Sequence, residues 1–300
     1  WLHPEHLEFD VMSEAWRQLF PFAPHFHLTG HGHRLHYVDE GQGVPAVLLH
    51  GIPTWSFMYR DLIADLAAQG RRAIAPDHLG CGLSDKPQDW NYCLENHLGN
   101  LEHLLETLQL PQFDLVMHDW GGPIGLAYAI RHPERVRRLV LMNTAAFLTR
   151  DFPFGIYLVK APFLGAFLVR RLNLLVKTAL RHACAQPLPP LVRQGYCAPY
   201  DSYRNRIATQ RFAQDIPLSP RHQSWQAFET LEDGLPTLAA KPILLCWGER
   251  DFCFHLGFLD RWRKIYPEAT VQTFPYAAHF LLEDAAEDVR SCLMKFLTVP

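Results

Sequence analysis

Three features of this 300-residue sequence predict an α/β fold: a mostly parallel sheet covered by helices on both faces, with an inserted helical cap. Short apolar runs alternate with segments of helical period through the first half of the chain. The alternation stops after Asn143 and resumes near Pro242, and the stretch from 145 to 218 is helical, basic and full of Phe and Leu. Strand–helix alternation builds parallel strands whose connecting helices cover the sheet. An insertion at that point forms a lid over the strand ends, where ligands bind in open α/β sheets. The expected division is a core of residues 1–144 and 219–300 with a cap of residues 145–218.

Residues 33–40 and 46–50 read as strands, and Gly51-Ile52-Pro53 turns the chain into a helix over 57–69. Residues 72–76 form a further short strand. The loop from Asp77 to Pro87 is punctuated by Gly80 and Gly82, which read as backbone hinges. Leucines at helical spacing predict a helix over 91–110. The strand 113–118, a helix over 125–131 and the strand 136–142 continue the alternation. Beyond the cap, strands over 242–248 and 270–274 lead to a last helix from Glu283.

Composition narrows the function. A net charge of −3 with no basic arm gives no electrostatic basis for nucleic-acid binding, so a small molecule is the expected partner. Seven cysteines stand without CxxC or zinc spacing, an odd set that fits reduced packing thiols. No signal peptide and no run of 18 apolar residues is visible, which makes a soluble cytoplasmic protein the expectation. His25, His27, His31, His33 and His36 cluster without carboxylate or Cys ligands nearby. They are expected to face solvent from strands, and no metal or cofactor is expected.

The apolar strand Leu115-Val116-Met117-His118 runs into Asp119-Trp120-Gly121-Gly122 and a helix near Pro123. A strand, tight turn and helix lift one side chain above the sheet as a nucleophile, with the N–H of the next residue facing the reaction centre. A carboxylate there suits attack on saturated carbon, because the alkyl ester formed can be cleaved at the carboxylate's own carbonyl. The substrate is therefore expected to offer an electrophilic sp³ carbon or a strained ring. A base and an orienting acid follow in chain order: Asp251 ends the apolar strand that starts at Leu244, and His279 follows Phe274-Pro275-Tyr276-Ala277-Ala278. Glu249 is the rival acid. Asn143 occupies another position where an acid could stand, and an amide cannot replace the charge. The Ile52 N–H is expected beside that of Trp120 as a pair of oxyanion donors.

These residues resemble the haloalkane dehalogenases of the α/β-hydrolase fold over nearly the whole chain. The resemblance lies in His50-Gly51-x-Pro53-Thr54-Trp55-Ser56, in Asp77-x-x-Gly80-x-Gly82-x-Ser84-Asp85-Lys86-Pro87, in His118-Asp119-Trp120-Gly121-Gly122-Pro123, and in the late Asp251 and His279. Asn143-Thr144-Ala145-Ala146-Phe147, the segment from Asp215 to Pro220 and the stretch from Leu245 to Phe254 are most similar to the dehalogenase-related β-lactone decarboxylases. The resemblance implies a cofactor-free lyase of bacterial long-chain olefin biosynthesis that converts a cis-3-alkyl-4-alkyl-oxetan-2-one to a cis-alkene and CO₂. It also implies a catalytic triad of Asp119, His279 and Asp251, with Trp120 lining the site. Ile52, Trp120, Trp55, Asn143 and Phe147 form the candidate oxyanion and substrate-binding set. A complex with other enzymes of that biosynthesis is left open.

One departure separates two chemistries. A dehalogenase holds its departing halide with two side-chain donors, and here position 52 is Ile while no Trp occurs between Trp120 and Trp225. Losing such a donor costs on the order of 3 kcal/mol. A β-lactone releases no halide, so the lactone reading leads and haloalkane dehalogenase is second. Epoxide hydrolase is third, kept open by Tyr157, Tyr196, Tyr200 and Tyr203, and a silent lipid-binding scaffold is the alternative outside enzymology. Phe152 to Val159, Phe163-Leu164 and Phe167-Leu168-Val169 supply an apolar wall for alkyl chains, part of it packing against the core. Lys160, Arg170, Arg171, Lys177 and Arg181 make the cap basic. A solvated face is favoured over membrane-surface contact.

Overall fold

The computed structural model describes residues 14–298. Its strands are β1 (His25–Leu28), β2 (Arg34–Glu40), β3 (Pro45–Leu49), β4 (Arg72–Pro76), β5 (Phe113–His118), β6 (Val136–Met142), β7 (Ile243–Gly248) and β8 (Thr270–Phe274). They form one sheet in the order β1-β2-β4-β3-β5-β6-β7-β8. β1 and β2 run antiparallel to their neighbours, and the rest of the sheet is parallel. β3, β5 and β7 are buried at every position, as strands covered on both faces must be. Alternate side chains go to opposite faces. Val47, Leu115, Leu141 and Leu245 meet the helices Leu94–Thr107, Gly121–Arg131 and Leu256–Ile265. Leu48, Val116, Val140 and Leu244 meet Arg60–Ala68 and Ala286–Thr298.

β3 is flanked by β4 and β5, so the strand order reverses there and opens a crevice at the carboxyl ends, the usual ligand position. The helix after β5 starts at Gly121, ahead of the expected 125, because its glycines let it press on the sheet. A Cβ on Gly121 would lie 2.1 Å from the Leu49 carbonyl oxygen. Gly80 and Gly82, expected as hinges, stand in tight left-handed turns. Their φ values are +90° and +46°, and a Cβ on Gly82 would lie 2.0 Å from Asp77 Oδ2, so this loop is wrapped around a buried carboxylate. The histidine expectation also needs correction. His25 and His31 are exposed, but His27 is buried against His103 and His36 is buried with its Nδ1 donating to Asp77 at 2.7 Å. All seven cysteines are unpaired.

Between β6 and β7 lie the helices Phe154–Lys160, Leu174–His182, Pro190–Cys197 and Ile207–Asp215, with shorter helical turns Pro162–Gly165 and Ala166–Arg171. Lys160 Nζ donates to the carbonyls of Ala213, Gln214 and Ile216, which staples the first of these helices to the end of the last. The layer is tied to the sheet domain through Glu283, which accepts from the Tyr196 hydroxyl at 2.6 Å and pairs with both terminal nitrogens of Arg60.

Candidate active site

Asp119 sits one residue past β5 with φ +50°. A non-glycine residue in that region costs about 1–3 kcal/mol and persists only where its surroundings hold it. They do so here. The Asp119 carbonyl accepts from Thr144 Oγ1 at 2.5 Å and from the Gly122 amide at 2.9 Å. A Cβ at position 51 would lie 2.1 Å from Asp119 Oδ1, so only glycine fits the facing turn after β3.

His279 and Asp251, on the loops after β8 and β7, converge on this carboxylate. His279 Nδ1 donates to Asp251 Oδ2 at 2.8 Å, and its Nε2 lies 3.8 Å from Asp119 Oδ2. Asp251, not Glu249, reaches the imidazole: it is buried, and its Oδ1 accepts from the Cys253 amide at 2.7 Å. Burial alone would raise the Asp251 pKa, but His279 and the amides of Cys253 and Phe254 bring it below the ordinary value. For His279 burial works downward, yet Asp251 and Asp119 together raise its pKa. Burial raises the Asp119 pKa, against the pull of His279 and the amides of Ile52 and Trp120.

The two amides expected to form an oxyanion hole are together, but they serve Asp119 itself. Ile52 N–H donates to Asp119 Oδ1 at 2.8 Å, and the Trp120 amide also favours the ionised carboxylate. Asn143 does not line the cavity that Asp119 enters. It is fully buried at φ +35°, its Nδ2 donates to Asp251 Oδ2 at 2.8 Å and its Oδ1 accepts from the Gly248 amide. The assignment of Trp55 to substrate binding is corrected likewise. It is buried beneath the cap, stacked with Phe57 and donating from Nε1 to the Gly195 carbonyl at 3.0 Å.

Ile52, Trp120 and Phe147 line a cavity of about 250 Å³ that contains Asp119 and His279. Among the described residues, its polar side chains beyond these are Thr149, Thr178 and Cys253. None of Tyr157, Tyr196, Tyr200 and Tyr203 reaches it. Tyr196 is held by Glu283, and the Tyr157 hydroxyl donates to the Arg150 carbonyl.

Three supporting residues appear in the sequence motifs without a role assigned to them there. His118 Nε2 donates to the His279 carbonyl at 2.9 Å, while burial, reinforced by His279, keeps its imidazole neutral. Thr144 supports the turn at Asp119. Asp77 accepts from His36, from the Ser56 amide at 2.7 Å and from the Leu83 amide at 2.9 Å, bracing the segment after Ile52. Burial opposes its charge, but His36 and His50 hold its pKa well below the usual carboxylate range. A carboxylate just past a strand end, in a glycine loop, is the signal that could have found it.

A family model described as the α/β-hydrolase fold matches residues 45–286. The chain is 44% identical to a cis-3-alkyl-4-alkyloxetan-2-one decarboxylase of Shewanella oneidensis, over 93% of this chain and 90% of that one. It is 39% identical to a protein of the same name from Xanthomonas campestris pv. campestris, over 89% and 93%. A solved haloalkane dehalogenase from Agrobacterium tumefaciens C58 superimposes with a TM-score of 0.82 at 26% identity, covering 92% of this chain and 96% of that one.

Proposed function

The chain belongs to the α/β-hydrolase fold family, among relatives that include oxetan-2-one decarboxylases and haloalkane dehalogenases, and from that premise we propose that it decarboxylates cis-3-alkyl-4-alkyloxetan-2-ones. The observation that carries this reading is the polar inventory of the cavity. Asp119 is supplied with donors for its own carboxylate, and among the described lining residues there is neither an Asn or second Trp to pair with the Trp120 indole at a halide nor a tyrosine of the kind an epoxide hydrolase needs. Residues 145–218 act as a cap over the sheet domain that precedes and follows them. The small-molecule partner is an apolar lactone with two alkyl chains.

In this mechanism Asp119 Oδ2 attacks the β-carbon and the ring C–O bond breaks, leaving an alkyl ester and a free carboxylate. The bond to that carboxyl carbon then breaks, its electron pair forms the alkene, and the ester oxygen leaves as the Asp119 carboxylate. Lactone is converted to alkene and CO₂ without water or a net proton. The Ile52 and Trp120 amides favour the second step because they stabilise charge returning to Asp119. Attack at the lactone carbonyl would need those amides for a different oxygen, so their engagement with Asp119 favours the β-carbon.

Stereochemistry agrees with this route. Displacement inverts the β-carbon and sets the new C–O bond antiperiplanar to the carboxylate, with the two alkyl groups on one side, so elimination yields the cis-alkene without bond rotation. The carboxylate released in the cavity finds mainly Phe147, Phe152, Phe228 and Ile216, a setting that favours loss of neutral CO₂. His279, oriented by Asp251, holds positive charge beside the reacting carboxylates. The test is product analysis with a cis-dialkyl β-lactone. One equivalent each of cis-alkene and CO₂ is expected; a β-hydroxy acid as main product, or fast bromide release from bromoalkanes, would overturn the assignment.

A further inference from the structure

We propose that the cap docks on an anionic lipid bilayer through Phe154, Phe163 and Phe167 together with the exposed cations Arg171, Lys177 and Arg181. Substrate then enters the cavity from that surface. The docking stands on the structure alone; the substrate route rests on the dialkyl-lactone reading.

The apolar side of the argument is exposure where burial would be the norm. Phe163 is 92% exposed, Phe154 74% and Phe167 54%, on three helical segments that contact one another, and large exposed apolar side chains brought to one region point to an interaction site. This surface adjoins the cavity. Leu158 and Leu174 line the cavity and are also 37% and 41% exposed, so they mark its mouth; Leu158 is on the helix that carries Phe154, and Leu174 starts the helix that follows the turn carrying Phe167. These are single projecting side chains on short helical turns, a form suited to a deformable acyl layer.

Charge points the same way. Residues 145–218 contain ten Lys and Arg against three Asp, while the rest of the chain contains eighteen Lys and Arg against twenty-eight Asp and Glu. The cap is therefore strongly cationic on a protein whose net charge is −3. Arg171, Lys177 and Arg181 are exposed, and among the described residues no carboxylate lies within ion-pair distance of any of them. Leu174, Lys177 and Arg181 are spaced to share one face of the helix Leu174–His182, so cations stand beside the mouth. Large apolar side chains among long cationic ones are the composition of an interfacial surface, where rings enter the acyl boundary and ammonium and guanidinium groups meet lipid phosphates. Among the described residues no helix is long and apolar enough to cross a membrane, so the contact is peripheral.

The test is flotation with phosphatidylcholine vesicles, with and without phosphatidylglycerol. The wild-type protein is expected to float with the anionic vesicles and to be released by salt. The double substitution Phe154→Ser and Phe163→Ser should weaken binding about tenfold, as should Arg171→Glu with Lys177→Glu. Tyr276→Ser, at an exposed ring on the loop after β8, should leave it unchanged. Neither phenylalanine lines the cavity, so turnover of a short-chain soluble lactone by the double variant reports both folding and the chemistry. Wild-type protein that stays out of the vesicle fraction overturns the docking, as does binding indifferent to the phenylalanines. Self-association lost in the phenylalanine variant, without vesicle binding, would make the face a protein contact instead. Failure to turn over the soluble lactone would count against the substrate reading and leave the docking standing.

Discussion

Asp119 must be ionised to attack carbon, and burial makes that ionisation harder while His279 and two amides ease it. The net shift is upward, so activity should be lost as pH falls through a value above the ordinary aspartate range. Asp119→Asn should abolish turnover with the fold intact, apart from activity regained by deamidation. His279 gives the second limb, and its sign separates two chemistries. Burial lowers its pKa, but Asp251 and Asp119 raise it further, so the imidazolium persists above the ordinary histidine range. If His279 holds charge, alkene formation should decline as pH rises through that raised pKa. If it serves as a base for water, the rate should instead rise there, and a profile of kcat/KM against pH distinguishes the two. Ile52→Asn supplies the side-chain donor that a halide site uses, so bromide release should increase from a low level while lactone turnover falls. Ion-selective detection of bromide with a bromoalkane checks it.

At the scale of elements, the site is a row of strand ends: Ile52 after β3, Asp119 after β5, Asn143 after β6, Asp251 after β7 and His279 after β8. Asp251→Asn should therefore lower kcat strongly, because an amide favours the wrong His279 tautomer, on a scale of up to about 10⁴, whereas Glu249→Gln should not. Asn143→Ala should act through Asp251 and appear as a reduced kcat with a shifted alkaline limb, since the lost Nδ2 donor faces that carboxylate. A larger loss from Glu249→Gln would reverse the assignment of the acid. Most of this row was readable in the sequence because Ile52, Asp119, Asn143 and Asp251 follow apolar runs; His279 follows the mixed strand Thr270–Phe274 and was read from its order after the acid. The parallel order of those runs follows from their alternation with helices. The paired amides were read as neighbouring oxyanion donors; what the sequence did not show is that Asp119 Oδ1 itself sits on the Ile52 amide, a matter of side-chain placement. Trp55 shared a motif with site residues, but its indole serves the base of the cap, a contact 140 residues away in the chain. β1 and the helices Trp225–Gly234 and Leu256–Ile265 were not read. The four residues of β1 alternate mainly between exposed His, Phe and Leu, and its pairing with β2 defines it.

For the molecule as a whole, the question is whether water reaches the covalent ester before CO₂ leaves. We expect the cap to decide this; one of several contacts that hold it to the core is Glu283, which joins Tyr196 of the helix Pro190–Cys197 to Arg60 of the core, beside bonds such as Trp55 Nε1 to the Gly195 carbonyl and the Leu94 amide to Asp215. Glu283→Gln removes the charge facing a largely buried guanidinium. Breaking one partner of such a pair typically costs about 3–5 kcal/mol, which urea unfolding would report. The functional consequence is more diagnostic than the stability. In the native enzyme, a single turnover in H₂¹⁸O should give alkene with no label in the Asp119 peptide, because no water enters any step. With the cap loosened by Glu283→Gln, water oriented by His279 can attack the ester at the Asp119 carbonyl. The products should then divide between alkene and β-hydroxy acid, and ¹⁸O should enter Asp119 in proportion to the acid formed. A labelled Asp119 in the native enzyme alongside alkene formation would show that water cleaves the ester even when the cap is closed, and the waterless route would fall.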